Sequence, residues 1–363
     1  MVTEFNAELV WIAVPVLLLA WVNGANDVSK GVATLIGSGA SNARTAIAWG
    51  TLWTVLGGLT AVVWGASLVS TFSSGFLAPG FPTTRMFAIG AMTGAFAWVL
   101  LATQRGWPVS TTHALLGGIV GAALMVAGPA GLRLTAVANK ALVPLLLSPV
   151  FAIVLCWALL SIARWVSGKV PAWRPGCCDP AAWRRDPFVC APDSAPARPM
   201  VRRLWVALHW LSSGATSFAR GLNDVPKIAA FLIVALAARS AEGDGPPTGF
   251  AVIVLVTLTM GLGSLWGGFR VAEVLAHRIT TMDPRQGLVA NVGTSLLVLA
   301  ASPLGLPVST THVSTGALMG IRWAEKEPPA QSDALRAILF AWLVTLPVAA
   351  GLAAVTVRLS QIV

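Results

Sequence analysis

The chain has 363 residues, of which 56% are hydrophobic and only 10% charged, with a formal net charge of +10. A typical soluble domain carries about 25% charged residues, so there is too little polar surface here to enclose several all-apolar helices in one soluble core. Histidine aside, no acidic or basic residue lies between Arg44 and Arg85, Arg105 and Arg133, Lys140 and Arg164, Arg285 and Arg322, or Arg336 and Arg358. Intervals this long and apolar are membrane spans, since a helix needs about 20 residues to cross.

The first apolar block covers about 7–25. Glu4 and Glu8 stand where a signal peptide would carry basic residues, and the block is expected to be retained. At its foot lies Asn23-Gly24-Ala25-Asn26-Asp27-Val28-Ser29-Lys30, and charge at the end of a membrane-length segment needs a reason. Four further blocks follow at about 45–69, 86–104, 107–128 and 141–163.

After a polar loop come five more, at about 204–219 running on through 228–238, 250–269, 287–302, 306–321 and 337–357. The second set matches the first block by block. Ser148-Pro149, which interrupts the fifth block, is answered by Leu346-Pro347, 198 residues on. The expected fold is an all-α integral membrane protein built from an internal duplication. Its parts are a first transmembrane repeat (1–163), a linker loop (164–203) and a second repeat (204–363). An odd number of crossings per half would turn the halves upside down relative to each other.

The loop holds eight basic against three acidic side chains, a net of +5, and by the positive-inside rule it faces the cytoplasm. Topology accounts for its charge without nucleic-acid binding. Cys177, Cys178 and Cys190 lie in it and Cys156 lies in a span; with no histidine nearby, ordinary cytosolic thiols are expected rather than a metal site.

Two unlike polar motifs are each doubled. The Asn-Asp-Val-x-Lys core at 26–30 returns at Asn223-Asp224-Val225-Pro226-Lys227, 197 residues later. Pro108-Val109-Ser110-Thr111-Thr112-His113 returns as Pro307-Val308-Ser309-Thr310-Thr311-His312, at an offset of 199. In the second motif the proline suits a first helical turn. The hydroxyls of Ser110, Thr111 and Thr112, and of Ser309, Thr310 and Thr311, would crowd a helix N-terminus where free N–H groups and the helix dipole attract an anion. The plainer alternative is that they merely cap a membrane helix.

His113 and His312 could carry a coupling proton or simply hydrogen-bond between helices. The glycine-rich runs after these motifs read either as full spans or as re-entrant hairpins. Asn26, Asp27, Asn223 and Asp224 supply oxygens of the kind that hold Na⁺ or accept a proton, and Gly24 and Gly221 would permit local unwinding that adds backbone carbonyls. Lys30 and Lys227 fall three residues beyond the aspartates, on the same helical face. They would either neutralise the aspartates as structural ion pairs or help bind the substrate anion.

At these residues the chain resembles the inorganic phosphate transporter family, the PiT proteins. The resemblance rests on residues 24–28, on Phe218 to Ala229 and on both Pro-Val-Ser-Thr-Thr-His motifs, and it covers nearly all of the chain outside the loop. It implies a non-enzymatic secondary transporter of inverted-repeat fold in the cytoplasmic membrane, importing phosphate by alternating-access symport with H⁺ or Na⁺ and using no other cofactor. Carried over, it assigns the anion to the Ser/Thr tips and the coupling ion to Asn26, Asp27, Asn223 and Asp224. A homodimer in the bilayer is compatible with it.

The match departs at Ser29-Lys30 and Pro226-Lys227, where many members have Ala-Asn, and at Asn291, where many have a glutamate. Each change adds positive or removes negative charge. Sulfate is the rival substrate within the family. Phosphate can donate a hydrogen bond near neutrality and sulfate cannot, so buried carboxylates favour phosphate while the lysines blunt that argument. A membrane enzyme or a passive anion channel is the alternative from another class, although no catalytic spacing accompanies the aspartates and histidines.

Overall fold

The computed structural model describes residues 2–169, 199–240, 248–278, 282–325 and 332–362. The linker positions 170–198, with Cys177, Cys178 and Cys190, lie outside the described residues. Within them the chain is helical, and the extended structure is a single bridge between Leu77 and Leu132.

The first half contains α1 (Val2–Asp27), α2 (Ser29–Gly37), α3 (Ala43–Trp64), α4 (Ala66–Ser70), α5 (Arg85–Gln104), α6 (Thr111–Ala127), the short α7 (Leu134–Ala136) and α8 (Val143–Lys169). The second contains α9 (Pro199–Ser240), α10 (Thr248–Gly267), α11 (Phe269–Arg278), α12 (Pro284–Ala301), α13 (Thr310–Glu325) and α14 (Ser332–Ser360). Among the described residues six stretches are long and apolar enough to cross a membrane: Leu9–Gly37, Ala43–Trp64, Arg85–Gln104, Leu134–Trp165, Gly249–Gly267 and Ile338–Ser360. Their outward faces carry Val63, Leu146, Phe151, Trp266 and Leu343, all exposed, as a lipid-facing surface requires. Trp64 and Trp266 close α3 and α10 at positions suited to the interfacial aromatic belt. The chain is an all-α integral membrane protein.

Helix pairing is crosswise. α1 packs along α10 and α9 along α3; α6 packs along α14 and α13 along α8. Each of these pairs takes one helix from each half, so the halves are interlocked. Two prolines inside continuous helices, Pro149 of α8 and Pro347 of α14, lie at these contacts. Gly117 of α6 sits against the Leu346 carbonyl beside Pro347, and Gly316 of α13 against the Pro149 carbonyl. The glycine-rich runs are therefore close-contact faces. α6 and α13 have 17 and 16 residues, which at about 1.5 Å per residue falls short of the roughly 30 Å hydrocarbon core.

One sequence expectation is corrected here. Gly24 and Gly221 do not unwind the helix: α1 runs through Gly24 to Asp27, pauses only at Val28 and resumes at Ser29, while α9 continues through both Gly221 and Pro226. These glycines instead let helices touch. A methyl group on Gly24 would meet the backbone of Met260 and Ser264, and one on Gly221 the backbone of Thr54 and Gly58. Because backbone rather than a flexible side chain would have to move, Gly221→Ala is expected to lower stability by about 1–3 kcal/mol. Thermal unfolding in detergent would show it as a lowered Tm with the fold retained.

Candidate transport site

The helices after the two Pro-Val-Ser-Thr-Thr-His motifs start later than the sequence suggested. Pro108 precedes the helix, Ser110 is the N-cap, and α6 begins at Thr111. The Ser110 hydroxyl accepts from the His113 N–H at 3.2 Å, and Ser309 accepts from the His312 N–H at the same distance. In this cap the side-chain oxygen takes a helix-end donor, and the proline only shapes the approach. The serines are thus caps, and the threonine hydroxyls remain for other partners.

Those partners bring the two tips together. Thr112 donates to the Val308 carbonyl at 3.3 Å, and Thr311 donates to the Val109 carbonyl at 2.7 Å. Each half's threonine thus holds the other half's tip. The rings of His113 and His312 lie with centroids 4.5 Å apart across the junction. His312 is also 3.8 Å from the Trp342 ring and donates through Nδ1 to the Leu145 carbonyl, since a carbonyl can only accept. Its Nε2 has no partner among the described residues. His113 Nδ1 pairs with Ser110 Oγ at 2.9 Å. Both histidines make contacts that hold helices together.

The Asn-Asp motifs sit directly beside the tips. Asn26 donates to Thr103 Oγ1 and to the Trp107 carbonyl, both at 3.0 Å, and accepts from the Val109 N–H at 3.3 Å. Asn223 donates to the Val308 carbonyl and accepts from Ser302, each at 3.3 Å. Thr103 and Ser302 stand 199 residues apart, so each half supplies a hydroxyl to its own asparagine.

Lys30 pairs with Asp27, and Lys227 lies 3.5 Å from Asp224 Oδ1. All four side chains are essentially excluded from water. Asp27 is fully engaged: Asn23 donates to its Oδ2 at 3.3 Å, and Thr111 does so at 3.5 Å. Asp224 is not. Asn223 donates to Oδ1 at 2.8 Å, while Oδ2 has no partner among the described residues. Thr310, the counterpart of Thr111, makes no side-chain hydrogen bond among them either. One half of the site is therefore closed and the other is left with an open acceptor and a free hydroxyl.

Sequence reasoning missed Arg220. It is 1% exposed and, among the described residues, the largest fully buried side chain. Its guanidinium donates to Ser264 at 3.4 Å, but Nε and Nη1 are unpartnered among the described residues. The signal was present: Arg220 occupies the repeat position of Asn23, so a charge stands where the first half has an amide. Asn291 bonds Thr34 at 2.9 Å and Ser212 at 3.4 Å. With Lys30, Thr294 and Ser314 it lines a small cavity.

A membrane-spanning helical bundle with two capped helix tips meeting over paired buried Asp–Lys motifs defines a multi-pass transporter. The chain belongs to the phosphate transporter family, whose model matches residues 23–353. It is 28% identical over 351 residues to a protein of Rhizobium meliloti named a probable low-affinity inorganic phosphate transporter, covering 95% of this chain and 94% of that one. To the chloroplastic inorganic phosphate transporter 2-1 of Arabidopsis thaliana it is 27% identical over 417 residues, covering 93% and 69%. A solved structure described as the sodium-dependent phosphate transporter shares the fold, with a TM-score of 0.83 at 23% identity over 98% of this chain and all of the other. These relatives are named as transporters, in line with a non-enzymatic role.

Proposed function

We propose that this protein imports inorganic phosphate across the cytoplasmic membrane as a secondary active transporter of the symport type, working by alternating access with H⁺ or Na⁺ as the coupling ion. The observation that carries this reading is the junction of the two tips. Thr112 and Thr311 cross between the halves onto the Val308 and Val109 carbonyls, which also accept from the buried Lys227 and Lys30, beside an Asp224 with one oxygen unpartnered among the described residues. The two tips, Ser110, Thr111 and Thr112 with Ser309, Thr310 and Thr311, form the anion site together with Lys30 and Lys227: Thr310 offers the free donor hydroxyl, while the capping serines and the cross-bonded Thr112 and Thr311 shape the tips; Asn26, Asp27, Asn223 and Asp224 are the coupling-ion residues. The names of the relatives support phosphate, and the transporter of known structure is called sodium-dependent.

The open Asp224 Oδ2 favours phosphate over sulfate. A protonated phosphate can donate to it, whereas sulfate can only accept and would face a bare carboxylate. The two halves are read as inverted repeats with re-entrant hairpins, a reading supported by the crosswise pairing and the short α6 and α13. The linker is read as cytoplasmic. Radiolabelled phosphate uptake into proteoliposomes, under separately imposed H⁺ and Na⁺ gradients and with excess sulfate, tests the reading. Accumulation that resists sulfate is expected; abolition by sulfate would reassign the substrate, and uptake that never exceeds equilibrium would indicate a channel.

A further inference from the structure

The two aspartates sit in matching oxygen cages, and an ammonium occupies each. Lys30 Nζ contacts Asp27 Oδ1, with Asn26 Oδ1 at 3.2 Å and the Val109 carbonyl at 3.3 Å. Lys227 Nζ lies 3.5 Å from Asp224 Oδ1, 3.0 Å from Thr112 Oγ1 and 3.1 Å from the Val308 carbonyl. Carboxylate, backbone carbonyl and a neutral side-chain oxygen form the hard donor set that takes a small inorganic cation in a transporter core. An ammonium and a sodium ion carry the same charge and cannot share one such cage. The residues present therefore do not fit Na⁺ at either aspartate.

The surrounding charge points the same way. Among the described residues, histidine aside, the buried ionisable groups of acidic or basic type are Asp27, Asp224, Lys30, Lys227 and Arg220, a net of +1. Arg220 lies within electrostatic reach of both aspartates, yet two of its nitrogens are unpartnered among those residues. The cavity beside Lys30 has no acidic side chain in its lining. An added cation would enter a core that is already positive, while an anion would be drawn into it.

We infer that Lys30 and Lys227 are tethered counter-cations standing where a coupling sodium would bind, so that this protein binds and carries its anion without Na⁺. The inference rests on the phosphate-import reading for its transport consequence but not for its binding consequence.

Equilibrium dialysis of the purified full-length protein with ²²Na⁺ in choline buffer tests the binding directly. Wild type is expected to show no saturable Na⁺ binding, and Lys30→Ala, which leaves Asp27 facing an empty cage, is expected to gain it. Phosphate uptake under an H⁺ gradient is expected to be unchanged when choline is replaced by Na⁺. Saturable ²²Na⁺ binding to wild type would overturn the inference. So would an uptake increase of roughly tenfold on adding Na⁺, a factor typical of coupling between two bound ligands. Lys30→Ala that stays monodisperse and binds no Na⁺ would also count against it. If that variant fails to fold, the wild-type dialysis still decides. Absence of phosphate uptake under every gradient would refute the import reading alone, leaving the dialysis result to stand by itself.

Discussion

Lys227→Ala is expected to destabilise the protein by about 3–5 kcal/mol, because it strands Asp224 as an uncompensated charge in a dry interior. The ammonium also donates to Thr112 and the Val308 carbonyl, so the same change loosens the junction of the tips. Thermal unfolding in detergent, run in choline buffer, measures the loss. Sodium must be left out, since an ion entering the vacated cage would stabilise the variant by mass action and hide part of the effect. Asp224→Asn combined with Lys227→Met removes both charges and should recover most of the stability, as replacing a whole buried pair is often nearly neutral. The coupling energy from the full cycle isolates the pair. Transport separates the roles: if the pair is only a structural tie, the stable double variant will carry phosphate at the wild-type rate. Loss of uptake despite recovered Tm is the result expected here.

Much of this architecture is readable from the residues alone. The banished charge announces a membrane protein, and two motifs repeated at offsets of 197 and 199 mark the residues that the fold gathers at its centre. Their local chemistry is legible because capping and i,i+3 pairing are short-range. Contact at long range is not legible. That Thr112 holds Val308, and Thr311 holds Val109, depends on crosswise packing of helices about 200 residues apart, which no local pattern encodes. Gly24 and Gly221 mislead for a related reason. Glycine permits both unwinding and close approach, and only the neighbours, here Met260 and Thr54, decide between them. Thr103 and Ser302 escape notice because a single hydroxyl in an apolar helix most often bonds its own backbone, and Thr103 does that too, donating to the Val99 carbonyl at 2.7 Å.

The two threonines of the second tip should respond in opposite ways, and this contrast tests the site residue by residue. Thr310 makes no side-chain hydrogen bond among the described residues, so Thr310→Val removes nothing from the folded protein and should leave Tm nearly unchanged. If its hydroxyl donates to the bound anion, the loss of one hydrogen bond to a charged partner, about 1.5–3 kcal/mol, weakens phosphate about 10- to 150-fold. That appears as a raised KM in radiolabelled uptake. Thr311 is committed to the Val109 carbonyl at 2.7 Å. Thr311→Val should therefore lower stability by about 1 kcal/mol through the lost hydrogen bond, and any change in KM should follow from a displaced tip rather than a missing ligand. A Thr310→Val protein with unaltered KM would remove that hydroxyl from the anion site. Because Thr111 already donates toward Asp27, Thr111→Val is the companion measurement: a smaller KM effect than at Thr310 would mark the second half as the side that receives the anion.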